Sequence, residues 1–225
     1  MVEVFAIRIM EDRDFEAFRE RLFDRLPESS QQKINTFKNL PDLQRSLLGE
    51  VIARRVLSEK TATPGKAIVF EKSEKGKPYL AGHSNPYFNI SHSGNYVVLA
   101  FADEEVGIDV EKIRPINYRV AKRFYSKAEF AELDKKDGQE KLEFFFDLWT
   151  LKESYLKLLG KGLTKSLSSF TINKSGSVFS LRDGKTEIKS VFFKQYLLDT
   201  EYKLSVCSLA PNFMDEINVL NISDL

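Results

Sequence analysis

Two long segments with helical hydrophobic spacing set the strongest limits on the fold. The first covers about residues 41–60. Pro41 suits its first turn, and the residues that then share one apolar face are Leu43, Leu47, Leu48, Val51, Ile52, Val56 and Leu57. The second covers residues 142–159, and its large apolar residues are Phe145, Phe146, Trp149, Leu156 and Leu159. Each helix has to bury its apolar face against another layer, which predicts a packed core in both parts of the chain.

Shorter segments typical of strands surround these two helices. The predicted strands are residues 2–9, 67–70, 96–101 and 106–110, with further strands near 168–173, 187–197 and 202–209. The predicted shorter helices are residues 14–26 and one or two helices within 117–136, and residues 72–95 are turn-rich. This order predicts an α+β fold built from two similar halves, residues 1–104 and 105–225.

The charge balance limits the classes of partner. The 225 residues contain 34 Lys and Arg against 33 Asp and Glu, so bulk electrostatics would not hold the chain on nucleic acid or an anionic membrane. A local basic patch is still compatible with this sum. Because 42% of the residues are hydrophobic, the chain is expected to be globular and not disordered.

Cysteine and histidine are too scarce for the common zinc sites. Cys207 is the single cysteine, and His83 and His92 are the two histidines, so any metal would be held mainly by oxygen, as Mg²⁺ or Mn²⁺ prefer. The sequence contains no G-x-S-x-G elbow and no H-E-x-x-H motif. Residues 1–10 indicate an opening strand and not a secretory signal, and the uncharged stretch 78–102 is too polar for a membrane span, which predicts a cytoplasmic protein.

Residues 106–112, Val-Gly-Ile-Asp-Val-Glu-Lys, predict a strand with two carboxylates on one face. Because alternate residues of a strand share a face, Asp109 and Glu111 would project together beside Gly107, while the apolar residues enter the core. Two carboxylates at this spacing repel each other unless solvent or a cation separates them. The segment is therefore either a solvated strand face or a divalent-cation site.

A third carboxylate lies on the second long helix. Glu153 and Lys157 have i, i+4 spacing, which on its own is typical of a surface ion pair worth roughly a few tenths of a kcal/mol. Because the rest of this helix is apolar, Lys152, Glu153 and Lys157 would instead be partly enclosed. Glu153 would then complete an all-oxygen metal site with the two strand carboxylates, and the lysines would face phosphate oxygens bound to the same metal.

Two further segments contain groups suited to an anion. Asn89-Ile-Ser-His-Ser-Gly94 is interpreted as a hydroxyl-rich turn in which Ser91, His92 and Ser93 are suited to donating hydrogen bonds to an anion. A lone histidine is more often a structural residue, and the neighbouring serines favour function only modestly. Gly76-Lys77-Pro78 predicts a fixed turn that presents a lysine.

Together these segments resemble the surfactin-type 4′-phosphopantetheinyl transferases. The pattern G-[IV]-D-[IV]-E, here Gly107 to Glu111, is followed about 40 residues later by W-[ST]-x-K-E-[SA], here Trp149 to Ser154. The segments at Gly76–Pro78 and Asn89–Gly94 precede them in the order that the family has. The likeness covers essentially the whole chain.

The resemblance implies an enzyme that transfers the 4′-phosphopantetheine arm of coenzyme A to a serine of an apo acyl or peptidyl carrier protein. The reaction would depend on Mg²⁺, with Mn²⁺ as an alternative, and would release adenosine 3′,5′-bisphosphate. Carriers of fatty-acid, polyketide and nonribosomal peptide synthesis all fit. The enzyme would be a monomer in which residues 1–104 bind coenzyme A and residues 105–225 hold the metal and dock the carrier.

The same resemblance assigns roles to individual residues. The implied metal ligands are Asp109, Glu111 and Glu153, and the implied catalytic residues are Glu153, Lys157 and His92. Glu153 would take the proton of the carrier serine directly or through water, and Lys157 would stabilise the leaving phosphate. The implied binders of coenzyme A are Lys152 and Lys157 at the pyrophosphate, Ser91 and His92 near the phosphates, Arg45 and Lys77 at the adenine nucleotide, and Lys33 near the 3′-phosphate. Ser30 stands where the family has a second lysine, so the 3′-phosphate would be held more weakly or by other residues.

Carrier docking is predicted at residues Ile113–Phe130, directly after the carboxylate strand. Lys122, Arg123 and Lys127 would meet the acidic helix that carrier proteins present beside their serine, according to the resemblance. The apolar residues predicted to pack nearby are Ile116, Tyr118, Phe124 and Tyr125. An ordinary amphipathic helix with a basic solvent face fits the same residues.

Two other functions fit the same polar residues. A magnesium-dependent phosphodiesterase or nucleotidase would hydrolyse coenzyme A without a carrier. A non-catalytic nucleotide- or carrier-binding module would bind coenzyme A without any transfer, and its metal would be structural. Neither nucleic acid nor a membrane is expected as a partner, given the charge balance.

Overall fold

The computed structural model describes residues 1–82, 86–160 and 164–225. The helices in these ranges are α1 Asp12–Phe23, α2 Glu28–Ile34, α3 Leu40–Thr61, α4 Arg119–Phe124, α5 Lys127–Asp134 and α6 Gly138–Leu159. The strands are β1 Val2–Arg8, β2 Phe70–Lys72, β3 Pro78–Leu80, β4 Tyr87–Ser93, β5 Tyr96–Ala102, β6 Val106–Lys112, β7 Phe170–Ser175, β8 Val178–Asp183, β9 Thr186–Ile188, β10 Phe192–Tyr196, β11 Tyr202–Ser208 and β12 Phe213–Leu220.

Two sheets packed face to face form the centre of the molecule. The first has the strand order β12-β1-β5-β4, with β12 parallel to β1 and the other pairs antiparallel. The second is antiparallel and has the order β10-β11-β6. Side chains from both sheets are completely buried in one cluster between them, including Val4, Val98, Ala100, Ile108 and Val206. The last strand of the chain therefore lies in the same sheet as the first.

A helix of 22 residues covers the outer face of each sheet. Helix α3 begins after Asn39, whose side chain caps the helix at the amide of Asp42, and its buried Leu47 and Leu48 lie in one cluster with Val97 of β5. Helix α6 packs on β6 and β11. The predicted α+β fold is confirmed. The boundary predicted near residue 104 does not separate the chain cleanly, because β12 completes the sheet of the first half and Ile222 and Leu225 lie in its core. In the described ranges, no helix combines the length and the apolar character needed to cross a membrane.

The structure corrects the predicted elements in three places. The predicted strand 67–70 is the end of a 3-10 helix, Gly65–Ala67, and an extended segment, and β2 begins only at Phe70. Residues 89–93 were predicted as a turn but belong to strand β4. Strands β8 and β12 were not predicted, because few of their side chains are fully buried and their burial alternates too weakly to be recognised. The predicted strand 187–197 merges the end of β9 with β10.

Candidate active site

Helix α6 crosses strand β6 at Gly107, and this crossing brings the polar residues together. A Cβ atom at position 107 would lie 2.1 Å from the carbonyl oxygen of Ser154 and 2.3 Å from the amide nitrogen of Leu158. Because no side chain fits there, glycine is what allows the helix to touch the strand backbone. The contact places Lys157 of the helix against Asp109 of the strand.

Asp109, Lys157 and Ser91 form a hydrogen-bonded group beside this crossing. Lys157 Nζ donates to Asp109 Oδ1 and to Ser91 Oγ, both at 2.7 Å, and Ser91 Oγ donates to the same carboxylate oxygen at 3.1 Å. Asp109 is only 5% exposed, and its Oδ2 is buried without a hydrogen-bond partner. A buried carboxylate oxygen without a partner is rare, and it marks a position where a bound cation would be stabilised.

Burial and mutual repulsion raise the pKa of two carboxylates in the group. Burial raises the pKa of Asp109 to about 6, although the Lys157 ammonium acts in the opposite direction. The pKa of Glu153 is raised to about 7, first by burial and then by the negative charge of Asp109, with a smaller contribution from Glu111. Carboxylates that raise one another's pKa in this way create a site that attracts a cation.

The oxygen atoms of the three carboxylates suit a hard divalent cation, but the side chains are not yet arranged around one common position. Asp109, Glu111 and Glu153 supply only oxygen atoms, as Mg²⁺ and Mn²⁺ prefer, and the free Oδ2 of Asp109 is available. Among the described residues, no three acidic, histidine or cysteine side chains converge closely enough to hold a metal ion as they stand. Metal binding would therefore require these side chains to reorient.

A cavity of about 670 Å³ lies beside strand β4, whose residues Phe88, Ile90 and His92 line it together with cationic side chains. Its cationic residues are Lys33, Arg45, Arg54, Lys66 and Lys72. The two arginines are paired with Asp42 and Glu50, whereas the three lysines have no ion-pair partner in the part of the chain that the structure describes. Apolar side chains such as Phe70 and Phe88 complete the wall. The cavity is thus suited to a ligand with both phosphate groups and an apolar ring.

His92 lies between the cavity and the carboxylate group. It follows Ser91 on β4, so its side chain points to the opposite face of the strand and lines the cavity. Partial burial, followed by the charges of Arg45 and Lys157, lowers the pKa of His92, so the imidazole is neutral at pH 7. Arg45 is held beside it by a hydrogen bond of 2.8 Å from Nη1 to the carbonyl oxygen of Gly94.

Lys77 does not direct its ammonium into the cavity. Its Nζ donates to Glu105 at 2.5 Å and to the carbonyl oxygen of Leu158 at 3.0 Å, near the end of α6. Gly76 and Pro78, on either side of it, do line the cavity. The predicted turn is therefore at the site, but the lysine charge faces the second half of the molecule.

Lys152 lies in the core and not in the site. It is completely buried, and its Nζ donates to Glu129 at 2.7 Å and to the carbonyl oxygen of Phe170 at 2.8 Å. Burial lowers its pKa to about 8 even though Glu129 opposes the shift. The prediction that Lys152 contacts pyrophosphate is wrong, because α5 and β7 enclose its ammonium and leave it no path to the cavity.

Three residues near the site, Lys66, Lys72 and Asn89, were not predicted from the sequence, and Ser93 was predicted to face an anion and not the carboxylate strand. Lys66 and Lys72 line the cavity, and no sequence pattern distinguishes them from other surface lysines. Asn89 and Ser93 contact the carboxylate strand β6. The spacing of Asn89, Ser91 and Ser93, each two residues apart, was the available signal, since it places all three on one face of a strand.

The predicted docking segment, Ile113–Phe130, includes α4 and the start of α5. Its basic side chains Lys122, Arg123 and Lys127 are exposed. Its aromatic residues point inward: the hydroxyl of the buried Tyr125 donates to the carbonyl oxygen of Phe145 at 2.6 Å. The aromatic residues therefore attach this segment to α6, and the basic residues form its outer face.

Comparison with known proteins gives matches along the whole chain. The family described as the 4′-phosphopantetheinyl transferase superfamily matches residues 105–207, and the one described as 4′-phosphopantetheinyl transferase, N-terminal, matches residues 16–104. The 4′-phosphopantetheinyl transferase Sfp of Bacillus subtilis (strain 168) is 35% identical over 212 residues, which are 92% of each chain. The 4′-phosphopantetheinyl transferase gsp of Aneurinibacillus migulanus is 34% identical over 227 residues, which are 100% of this chain and 94% of the other.

A solved structure shows a more distant likeness. The holo-(acyl-carrier-protein) synthase from Bacillus anthracis str. Ames, in complex with CoA (3′,5′-ADP), aligns with 48% of this chain and 96% of its own at a TM-score of 0.41 and 18% identity. The relationship rests instead on the two sequences that are more than 30% identical over nearly the full length. On these grounds the chain belongs to the 4′-phosphopantetheinyl transferases, within the surfactin-type group that includes Sfp.

Proposed function

We propose that this enzyme uses Mg²⁺ to transfer the 4′-phosphopantetheine arm of coenzyme A to a serine of an apo carrier protein, with release of adenosine 3′,5′-bisphosphate. The observation that carries the proposal is the crossing at Gly107, which brings Lys157 against Asp109 on one face of β4, while the other face of β4 lines a cavity with cationic side chains. The residues that line the cavity fall within 1–104, and the carboxylates fall within 105–225, which supports the proposed division of the chain. We expect a cytoplasmic monomer.

The proposed reaction assigns a task to each polar residue and two tasks to Glu153. Asp109, Glu111 and Glu153 would hold Mg²⁺, which when bound supplies positive charge to the pyrophosphate oxygens. Glu153 takes the proton of the carrier serine directly or through water. The serine oxygen bonds to the phosphorus of the arm, and the bond from this phosphorus to the bridging oxygen breaks. Lys157 donates to the leaving phosphate, and the neutral His92 donates to a phosphate oxygen from the cavity wall.

The direct test is to incubate the protein with Mg²⁺, coenzyme A and an apo carrier, and then to measure the mass of the carrier. A gain equal to one phosphopantetheine, lost when the carrier serine is replaced by alanine, is expected. An unchanged carrier together with hydrolysed coenzyme A would instead indicate a phosphodiesterase. An unchanged carrier with intact, bound coenzyme A would indicate a binding module.

The 3′-phosphate of coenzyme A is proposed to bind the three unpaired lysines of the cavity. Ser30, which replaces the second lysine of the family, donates its hydroxyl to Glu50, and Glu50 is neutralised by Arg54. Ser30 is uncharged, and the charge of Arg54 is already paired with Glu50, so neither residue offers a free positive charge to a ligand. Lys33, Lys66 and Lys72 together supply the charge that a dianionic phosphate requires.

Replacing Lys66 and Lys72 together by alanine is expected to weaken recognition of the 3′-phosphate only. Hydrogen bonds to charged groups contribute about 1.5–3 kcal/mol each, so kcat/KM for coenzyme A should fall at least about tenfold, while kcat/KM for 3′-dephospho-coenzyme A stays the same. Lys75→Ala is the control, since Lys75 is exposed on the same segment but does not line the cavity. Equal losses with both substrates would contradict the assignment.

The exposed basic face of α4 is proposed to dock the carrier. Replacing Lys122 and Arg123 together by glutamate should raise the KM for the carrier about tenfold, because charge reversal repels an acidic partner. The KM for coenzyme A should not change. Replacing Lys185 and Lys189, both exposed on the hairpin of β8 and β9, serves as a matched charge reversal elsewhere. An equal effect on both substrates would count against this docking surface.

A further inference from the structure

The two central sheets are joined at β4 and β6 by hydrogen bonds from backbone amides to side chains, where a continuous sheet would have hydrogen bonds between backbones. Strand β4 is one edge of the sheet β12-β1-β5-β4, and β6 is one edge of the sheet β10-β11-β6. Backbone amides of β6 donate to side-chain oxygens of β4 at three successive points: Ile108 to Asn89 Oδ1 at 2.9 Å, Val110 to Ser91 Oγ at 3.4 Å, and Lys112 to Ser93 Oγ at 3.1 Å. We refer to these three hydrogen bonds as the side-chain ladder.

The two serines of the side-chain ladder also contact the carboxylates. Ser91 Oγ donates to Asp109 at 3.1 Å, and Ser93 Oγ donates to Glu111 Oε2 at 2.8 Å. Each hydroxyl accepts from one amide of β6 and donates to the carboxylate of the preceding residue. Since a hydroxyl has a single hydrogen to donate, this arrangement fixes both the serine and the carboxylate relative to the strand.

Within the described ranges, Ser93 differs from Ser91 in having no contact with Lys157 of α6. Its hydroxyl bonds there to the Lys112 amide and to Glu111, so its effect on the site passes through Glu111. Glu111 is only partly buried, and its other charged neighbour, Arg114, lies 3.7 Å away. Without Ser93, this weak contact would be the main restraint on the carboxylate among the described residues.

We propose that Ser93 is a positioning residue that orients Glu111 for binding of the divalent cation. The inference rests on the metal site of the proposed function and adds a residue to it that does not itself bind metal or substrate. Groups that hydrogen-bond to a metal ligand fix the direction of its lone pairs, and their loss typically costs about 10–100-fold in metal affinity. The same range is expected here.

The test is Mn²⁺ binding to the whole enzyme without coenzyme A or carrier, with free Mn²⁺ measured by electron paramagnetic resonance. Ser93→Ala should raise the Kd for Mn²⁺ about tenfold or more, and Ser93→Thr, which keeps the hydroxyl, should restore it to within about threefold of wild type. At saturating Mn²⁺ the KM for coenzyme A should be unchanged in both variants. A wild-type Kd in Ser93→Ala would overturn the inference.

Ser208→Ala is the matched control for a purely structural effect. Ser208 is completely buried, and its Oγ accepts from the amide of Ala210 at 3.0 Å but contacts no carboxylate of residues 1–82, 86–160 and 164–225. This variant should lower the melting temperature and leave the Kd for Mn²⁺ unchanged, and an equal loss of affinity would overturn the inference. If wild type binds no Mn²⁺, the proposed metal site itself is wrong. If wild type binds Mn²⁺ and modifies the carrier while Ser93→Ala binds equally well, only the role of Ser93 is wrong.

Discussion

Replacing Glu153 by glutamine is expected to remove almost all transfer activity while making the metal-free protein more stable. The variant loses a proton acceptor, which typically contributes about 10²–10⁴-fold in rate, and it also loses a proposed metal ligand. Turnover at saturating Mg²⁺ should therefore fall by at least about a thousandfold. Single-turnover transfer to an apo carrier, followed by mass spectrometry, measures the loss.

The gain in stability follows from the raised pKa of Glu153. Its pKa is about 7 in the folded protein against 4.5 for an ordinary glutamate, so the folded state favours the protonated form. Ionisation therefore costs folding free energy, and this cost grows as pH rises from 4.5 to 7 and stays constant above. Glutamine carries no charge and avoids the cost. Without Mg²⁺, the variant should melt at a higher temperature than wild type at pH 8, and the difference should shrink at pH 5.

The control for both effects is Glu140→Gln on the same helix. The side chain of Glu140 is 69% exposed, so its replacement should change neither turnover nor the pH dependence of melting. Near-normal turnover of Glu153→Gln at saturating Mg²⁺ would show that both roles proposed for Glu153 are wrong. A variant that melts below wild type at pH 8 would contradict the cost of ionisation.

The long helices and the strand 106–112 could be predicted because their apolar residues recur at regular spacing in the sequence. The core faces of α3 and β6 repeat at helical and strand spacing, so local sequence is enough to recognise them. Residues 89–93 were misinterpreted because β4 presents Asn89, Ser91 and Ser93 to the edge of another sheet, and such residues have the composition of a turn. Their strand conformation depends on a partner that is remote in the sequence.

The position of Lys152 could not be predicted for a similar reason. The sequence shows a lysine within an apolar helix, which is compatible with either the cavity or the core. The choice depends on Glu129, which meets Lys152 from another helix and makes its burial tolerable. Lys66 and Lys72, in contrast, were not predicted at the site but line the cavity, and only the folded chain shows that they face it together.

Replacing Lys152 by methionine is expected to destabilise the protein strongly without weakening the binding of coenzyme A. The side chain of Glu129 is only 2% exposed, so the variant would leave a buried carboxylate without its cation. Breaking a buried ion pair in this way costs about 3–5 kcal/mol. In a chain of this size such a loss lowers the melting temperature by roughly 6–20 °C, measurable by calorimetry.

The double variant Lys152→Met with Glu129→Gln separates the buried charge from the loss of packing. It should recover most of the lost stability, because no unpaired charge is left in the core. Lys135→Met, which removes an exposed ion pair with Glu132, should change stability by less than about 0.5 kcal/mol. The KM for coenzyme A decides the role of Lys152. An unchanged KM in the folded fraction agrees with an ammonium enclosed by α5 and β7, whereas a tenfold rise would show that Lys152 reaches the pyrophosphate after all.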